Sequence, residues 1–274
     1  MIQYPKVMKS KDIKNISIHV PLNGNKLLEK CVVKVAENRE VYTLWKVINV
    51  NAIDRLGMSD HGPIHFQIVS NIALRLARIL IKKKVQMSVV ADFGLTNDHA
   101  ELIIFLASIF HDLGMSISRE GHEEFSLFLA NTLLREVLEF LSPQEKTIVT
   151  SEVLHAIISH RKNGIPNTIE AGIVRVADAL DMSEGRSRIP YEAGKIDIHS
   201  ISARAIDKVE IKEGTKQPVE IIITMNNSAG IFQVDELLKS KLKGSKIEKF
   251  IEVKAYIRDN SEKKLIKNYI LQKE

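Results

Sequence analysis

In the stretch IFHDLGMS, residues 109–116, a histidine and an aspartate stand side by side at the end of the apolar run LIIFLASIF. Imidazole nitrogens and carboxylate oxygens together suit Fe, Mn, Zn, Ni or Mg ions. Similar side chains occur at the ends or on the apolar stripes of other predicted helices, and the full candidate set is His65, His111, Asp112, His122, His160 and Asp178. One such residue alone is usually a helix cap or a solvated side chain. Because several helices each offer one, the sequence predicts a metal site in the core of a helical bundle.

The elements that must position these residues follow from the hydrophobic period, which is helical from about residue 36 to residue 184. In IHFQIVSNIALRLARILI, His65 lies near the start of a helix. The predicted inward stripe of this helix includes Ile68, Val69 and Ile72. The first histidine of the set is therefore expected at a helix end that faces the core.

The remaining candidates also lie at helix ends or within helices. His111 and Asp112 end the helix that carries LIIFLASIF, and His122 begins the next one. His160 ends the helix EKTIVTSEVLHAIISH, whose start is marked by an S-x-x-E box with proline in the first helical position. Asp178 stands mid-helix between two alanines, where aspartate has poor helix propensity and needs another reason to be present.

The hydrophobic period becomes two from about residue 201, as in VEIKE, PVEIIITM and FIEVKAYI, with a helical interruption at QVDELLKSKL. This change predicts a mainly α protein with two parts. They are a helical domain over residues 1–200, with an N-terminal extension over residues 1–35, and a small α+β module over residues 201–274. One face of the predicted strands is apolar and needs a cover. We expect the module to support a homo-oligomer rather than catalysis.

The composition of the 274-residue chain, 45% hydrophobic and 27% charged, is that of a globular protein. Its start has no apolar stretch behind the charges, and no segment reaches the roughly 18 uncharged apolar residues of a membrane helix. Cys31 is the only cysteine, which excludes an internal disulfide and a thiolate zinc site. We therefore expect a soluble, cytoplasmic protein without a membrane partner, whose metal is held by nitrogen and oxygen.

The positive charge of the chain is concentrated near its C-terminus. The net charge is +5, and residues 236–274 hold eleven Lys and Arg against six Asp and Glu, which alone gives +5. A basic surface suits a phosphate-bearing ligand or RNA, but these lysines alternate with apolar residues without interleaved aromatic side chains. A solvated strand face and a small phosphorylated substrate are therefore favoured, and nucleic acid is kept as an alternative partner.

Three segments carry a resemblance to a known family. HFQIVSNIAL, IFHDLGMS and IVRVADALDM are similar to the first-histidine, HD and last-aspartate helices of the HD domain of metal-dependent phosphohydrolases. The resemblance covers about residues 50 to 190 and implies a helical HD bundle with two divalent ions. Iron or manganese is favoured, and zinc, nickel, cobalt or magnesium is permitted. The implied ligands of one ion are His65, His111, Asp112 and Asp178, and those of the other are His122 and His160 with Asp112 as a bridge.

The resemblance also implies a reaction, the hydrolysis of a small phosphoester by a metal-bound hydroxide without a protein nucleophile. The expected substrate is a cyclic phosphodiester or a nucleotide. Asp112 takes part as the bridging ligand, and His61 is a candidate further ligand, leaving-group acid or phosphate contact. Arg186 and Arg188 in EGRSRIP, with Arg161 as a weaker candidate, are predicted to bind substrate phosphate because guanidinium forks suit phosphate oxygens.

The extra histidines in GHEEFS and SHRKNGIP are similar to those of a two-metal branch that includes enzymes acting on cyclic dinucleotides. That branch has paired histidines where this chain has Ser159 and His160, and its GYP loop is GIP here, so cyclic di-GMP is not the expected substrate. DHGPIH, DALDMSEGRSRIP and NNSAGIFQVDELL are more similar to archaeal stand-alone HD phosphohydrolases, which include a methanogen phosphodiesterase for dihydroneopterin 2′,3′-cyclic phosphate. The alternative function is a metal-containing nucleic-acid-binding or regulatory scaffold without turnover, with affinity that survives metal removal and depends steeply on salt.

Overall fold

The computed structural model describes residues 17–161, 163–182, 202–258 and 268–270. Within them, eight α-helices build the helical body: α1 (Lys26–Glu37), α2 (Arg39–Asn49), α3 (Pro63–Lys82), α4 (Ser88–Phe93), α5 (Asn97–Phe110), α6 (His122–Val137), α7 (Pro143–Ser159) and α8 (Ile169–Leu180). A π-helical turn, Val50–Arg55, continues α2, and a 3-10 turn, Leu113–Ser116, follows α5. The chain is mainly α, as the sequence predicts.

Helix α5 forms the centre of the bundle. It is apolar on all sides, which is typical of a fully enclosed helix, and every residue from His99 to Phe110 is buried. It packs against α1, α3, α7 and α8. The indole N–H of Trp45, on α2, donates to the carbonyl of Ile109 at 3.2 Å. This bond fixes the C-terminal end of α5, where the HD pair lies.

The structure confirms one local prediction and corrects another. The S-x-x-E box is present, since the Ser142 hydroxyl accepts from the Glu145 N–H and the Glu145 carboxylate accepts from the Ser142 N–H. Helix α1 lies mostly within the predicted N-terminal extension, yet its residues Leu28 and Val35 belong to the core. The prediction that Ile68 faces inward is wrong, because 37% of it is exposed.

The C-terminal part of the described chain forms a four-stranded sheet in the order β1 (Ile206–Glu213), β2 (Val219–Met225), β3 (Ile251–Ile257) and β4 (Asn268–Ile270). The β1–β2 and β3–β4 pairs are antiparallel, and β2–β3 is parallel. A parallel pair needs a crossover connection, and the chain supplies one with two consecutive helical segments, Gln233–Leu238 and Lys239–Leu242. We call these two segments the module helix.

The apolar face of the sheet is covered within a single chain. Val219, Ile221 and Ile223 of β2 alternate with less buried neighbours and are fully buried. They belong to one continuous core cluster with Val234 and Leu238 of the module helix. Strands β1 and β2 contact α3, and the module helix contacts α8. The apolar face therefore does not require a second subunit as its cover.

Among the described residues, one helix, α3, is long and apolar enough to cross a membrane by length and composition alone. Its apolar residues instead line the core of the bundle, as Val69, Leu74 and Leu80 are fully buried by neighbouring helices. This helix also carries His65, a candidate metal ligand, on its first turn. We interpret α3 as a core helix.

Candidate metal centre

The six candidate ligands lie on five helices and converge at one end of the bundle. His65 is on the first turn of α3, and His111 and Asp112 directly follow α5. His122 is the first residue of α6, His160 directly follows α7, and Asp178 lies in the last turn of α8 rather than mid-helix. Placement at helix ends lets each side chain turn inward without interrupting a helix.

The first group of ligand atoms comprises His65 Nε2, His111 Nε2, Asp112 Oδ2 and Asp178 Oδ1. The two nitrogens are 3.1 Å apart. Asp112 Oδ2 lies 3.7 Å from His65 Nε2 and 3.5 Å from His111 Nε2. Asp178 Oδ1 lies 3.6 Å and 3.7 Å from the same nitrogens. One ion bound at about 2.1 Å to each atom separates neighbouring ligand atoms by roughly 3.0 to 3.4 Å, close to this spacing.

The second group uses the other oxygen of the same aspartate. Asp112 Oδ1 lies 3.1 Å from His122 Nε2 and 3.6 Å from His160 Nε2. The two oxygens of Asp112 therefore face different pairs of histidines, which is the arrangement of a bridging carboxylate. His160 also falls within reach of His111 and Asp178, so the two groups are continuous.

Hydrogen bonds orient the four histidines and fix the tautomer of three of them, His65, His111 and His160. His65 Nδ1 donates to Asp181 Oδ2 at 2.6 Å. Two others donate from Nδ1 to the backbone carbonyl three residues earlier, His111 to Ser108 at 2.8 Å and His160 to Ile157 at 2.6 Å. His122 Nδ1 lies 2.9 Å from both the carbonyl oxygen and the Nη1 of Arg119. Nε2 faces the centre in all four rings, and in a neutral imidazole whose Nδ1 carries the one N–H it is the unprotonated nitrogen. This is the ligand form of histidine.

Burial and charge set the protonation of the centre. Burial lowers the pKa of His111 to about 3, so this ring is neutral at neutral pH. Burial alone would raise the pKa of Asp112, but His111 and the hydrogen bonds of the other histidines outweigh it and hold the pKa well below its ordinary value. Burial is likewise outweighed at Asp178, whose pKa is lowered by the ammonium of Lys241 and by the histidines. Both carboxylates are therefore anionic.

These residues fit divalent ions. With Nδ1 protonated in both rings, the Nε2 lone pairs of His65 and His111 approach within 3.1 Å and repel each other. A cation between them converts that repulsion into two bonds. Two buried carboxylates also need positive charge, and the nitrogen and oxygen set suits iron, manganese, zinc, nickel, cobalt or magnesium.

Gly114 in IFHDLGMS brings the two halves of the centre together. A Cβ at this position would lie 2.0 Å from the carbonyl oxygen of His122. Glycine therefore permits the turn after α5 to rest on the start of α6, and its N–H donates to Ser126 Oγ at 2.8 Å. The same hydroxyl donates to the carbonyl of His111 at 2.7 Å. These contacts hold His122 beside Asp112.

Three functional candidates were missed from the sequence. Asp181 orients His65, and its spacing of three from Asp178, which puts both on one helix face, was an available signal. Arg175, one turn before Asp178, is only 3% exposed and binds backbone carbonyls around the centre. Its position inside the apolar run IVRVADAL was the signal. Lys241 of the module helix reaches Asp178, and nothing distinguishes it from neighbouring lysines in the sequence.

Two other predicted site residues, His61 and Arg161, stand apart from the two ligand groups. His61 is nearly buried, its ring centroid is 5.6 Å from that of His65, and its Nδ1 lies 2.8 Å from the Ser59 carbonyl oxygen. Among the described residues, the groups that can hold an ion do not include it. The Arg161 guanidinium pairs with Glu124 at 2.8 Å. The two remaining arginines, Arg186 and Arg188, lie outside the described residues.

Comparison with known proteins agrees with this geometry. A family model described as HD domain matches residues 64–183, a range that contains all six candidate ligands. The uncharacterized protein MJ1020 of Methanocaldococcus jannaschii is 41% identical over 225 residues, which are 82% of this chain and 87% of that relative. No solved structure matches the chain. The chain belongs to the HD-domain family, whose members are generally metal-dependent phosphohydrolases.

Proposed function

We propose that this protein hydrolyses a small phosphoester, a cyclic phosphodiester or a nucleotide, with two divalent ions bound at the helix ends. The observation that carries the proposal is the double use of Asp112, whose two oxygens face separate pairs of imidazole nitrogens. When bound, divalent ions polarise phosphoryl oxygens and lower the pKa of a water to about 7. The reaction adds water across a P–O bond and yields a phosphate monoester and a hydroxyl group from a cyclic diester.

The residues of the chain have distinct roles in this proposal. Asp112 and Asp178 supply the negative charge that holds the ions. We assign to His61 the transfer of a proton to the leaving oxygen, and its position beside His65 supports this role. Arg161, together with the two arginines of EGRSRIP, remains our proposed contact for the phosphate of the substrate.

The size of the substrate and the setting of the protein belong to the same proposal. The ligand groups are nearly enclosed, since His65, His111 and His160 are at most 3% exposed, which favours a small molecule over a long nucleic acid. The burial of the α3 stripe favours a protein that works outside the membrane, and we place it in the cytoplasm. A homo-oligomer remains part of the proposal, with an interface elsewhere than the covered face of the sheet.

The test is a screen of metals against substrates. Metal-free protein is loaded with Fe, Mn, Co, Ni, Zn or Mg and assayed on 2′,3′-cyclic nucleotides, 3′,5′-cyclic nucleotides, mononucleotides and dNTPs. We expect turnover of a cyclic phosphodiester that is lost with chelator. Asp112→Asn should lose roughly a thousandfold or more, the size of effect seen when a central catalytic group is removed.

A matched pair of histidines, one on α7 and one directly after it, supplies the control. His160→Gln removes a ligand, whereas His155→Gln changes a histidine whose Nε2 accepts from the Asn167 N–H away from the centre. We expect loss of metal and activity in the first variant only. Inactivity of the parent with every metal and substrate class would instead favour the scaffold alternative, which predicts nucleic-acid binding that survives chelator and weakens steeply with salt.

A further inference from the structure

The module helix brings a lysine to the metal centre. Lys241 Nζ lies 3.5 Å from Asp178 Oδ2, while Asp178 Oδ1 belongs to the first ligand group. The same ammonium donates to the carbonyl of His160. Its side chain is 17% exposed, so it is enclosed yet reachable from outside. A cation from the C-terminal module thus stands beside ligands from both groups.

A buried guanidinium fixes the backbone of this lysine. Arg175 Nε donates to the Lys241 carbonyl at 2.9 Å, and Nη2 donates to the Ser240 carbonyl at 3.2 Å. Its Nη1 donates to the carbonyls of Ser159 at 3.1 Å and Arg161 at 2.9 Å, on either side of His160. One rigid fork therefore ties the module helix to the end of α7 that carries a metal ligand.

A glycine in α8 makes this close approach possible. Glycine inside a helix is less favourable than alanine, so Gly172 needs a reason to be present. A Cβ there would lie 1.7 Å from the carbonyl oxygen of Ser245, in the turn after the module helix. Two residues of α8, Gly172 and Arg175, therefore determine how this helix contacts the module.

We propose that Lys241 is a substrate-binding residue, which contacts a phosphoryl oxygen of the substrate held at the metal centre. This inference rests on the proposed phosphoester hydrolysis and assigns part of the active site to the C-terminal module. An ammonium has three N–H donors, and the described residues give Lys241 two acceptors, Asp178 and His160. The third donor serves a phosphate oxygen. Lysine binds phosphate as a point charge and so complements the ions on the opposite oxygens.

Position and accessibility support a contact with substrate over a purely structural bridge. Arg175 already makes the bonds between the module helix and the bundle and is only 3% exposed. Lys241 is more exposed and ends at a carboxylate oxygen turned away from the first ligand pair. A second structural bridge at this place would be redundant. A phosphate anion that binds next to anionic ligands needs a cation beside it, and Lys241 supplies that cation.

The experiment compares Lys241→Met with the matched control Lys239→Met. Lys239 is on the same helical segment and pairs with Asp235 at 3.3 Å, on the exposed surface. Three quantities are measured on metal-loaded, full-length protein: bound metal, affinity for inorganic phosphate by calorimetry, and kcat and KM on the best substrate of the screen. Lys241→Met should keep its metal and lose about tenfold in phosphate affinity and ten- to a hundredfold in kcat/KM. Lys239→Met should match the parent.

Lys241→Arg and Gly172→Ala extend the test. The arginine variant keeps the positive charge and should therefore recover part of the phosphate affinity that Lys241→Met loses. If Lys241 only filled space, its charge would not affect the phosphate affinity. Gly172→Ala should weaken phosphate binding without removing a ligand, because it displaces the module helix. The inference is overturned if Lys241→Met binds phosphate within twofold of the parent, or if it loses metal in proportion to phosphate affinity. Phosphate binding is measured without turnover, so it tests Lys241 even if no substrate is hydrolysed and the proposed reaction fails.

Discussion

At the scale of single residues, the centre depends on where each imidazole proton is held. His111 and His160 use a backbone carbonyl three residues earlier, which keeps the ring orientation as long as the helix end is intact. His65 differs because its acceptor is a carboxylate, Asp181, at 2.6 Å. A charged acceptor makes the imidazole a stronger ligand than a neutral carbonyl does.

The first prediction concerns this carboxylate. Asp181→Asn keeps the size of the side chain and an oxygen that can accept from His65 Nδ1, but it removes the charge. We expect metal affinity to fall about ten- to a hundredfold, as for other outer partners of metal ligands. Competition with a chelator measures the affinity. Asp98→Asn, which changes an exposed carboxylate of α5, is the control, and equal affinities in both variants would contradict the assigned role.

The second prediction is a difference in pH dependence between the two groups of ligands. Burial lowers the pKa of His122, but the hydrogen bond and charge of Asp112 outweigh it, so the pKa is raised in the metal-free protein. A metal must displace this proton, so affinity at the second group declines once the pH drops below the raised value. In the first group, the pKa of His111 is lowered to about 3, so protons compete with a metal for this ring only in strong acid.

The measurement is equilibrium dialysis of the metal-loaded protein from about pH 8 to about pH 5, the range in which histidine ligands titrate. One ion should leave before the other as the pH falls. His122→Gln should abolish the first release step and leave the second. Simultaneous loss of both ions from the parent would show that the two groups do not titrate separately.

At the scale of elements, helix ends were predictable from the sequence because caps and breakers act locally. The S-x-x-E box of α7 and the position of His65 near the start of α3 illustrate this. Burial within α3 was less predictable. That helix is apolar over most of its circumference, so the hydrophobic period does not separate the exposed Ile68 from the buried Val69. The ligands at helix ends could be named from sequence, whereas the contacts between the ends could not.

The third prediction tests one of those contacts. Gly114→Ala places a Cβ 2.0 Å from the carbonyl oxygen of His122, which is backbone and cannot rotate away. The turn after α5 must then separate from α6 and carry His122 away from Asp112. We expect a loss of about 2 kcal/mol or more in the free energy of unfolding, typical of overpacking in a core. Denaturant titration measures it.

The control for this prediction is Gly94→Ala, where the surrounding space is open. Its positive φ of 66° gives a modest strain of its own, so a smaller loss is expected there. Metal content separates the two sites further, because only Gly114→Ala should reduce binding at His122. Equal stability and equal metal content in both variants would show that α6 tolerates the displacement.

At the scale of the whole molecule, the missed residues are those whose partners are far away in sequence. Arg175 and Lys241 meet only because the module helix folds back onto α8, and no local pattern reports such a contact. The basic C-terminal segment was visible in the sequence, but its use at the metal centre was not. The strands and helices could thus be predicted from the sequence, but not how they pack against one another.

A second basic region bears on the choice between the phosphohydrolase and the nucleic-acid-binding scaffold. A groove of about 990 Å³ runs between α3 and β1 and is lined by several cationic side chains. Three of them are paired within the chain, Lys82 with Glu213, Lys208 with Glu210 and Arg78 with Glu101. Such pairing reduces the field that a nucleic acid would require. The groove therefore does not favour the scaffold alternative over the phosphohydrolase.

The last prediction concerns removal of residues 201–274. All six ligands remain in the truncated chain, but Arg175 loses the acceptors in the module helix and α8 loses its cover at Gly172. We expect the melting temperature to fall by about 5 °C or more, since buried apolar surface and buried hydrogen bonds are lost together. Phosphate affinity should fall as far as in full-length Lys241→Met, which keeps the cover and therefore its melting temperature. Light scattering on the same samples tests whether the protein is a homo-oligomer. If the module forms the interface, the mass of each particle should fall by more than the mass of the deleted residues. A truncated chain with the melting temperature and phosphate affinity of the parent would show that the bundle alone forms the complete site.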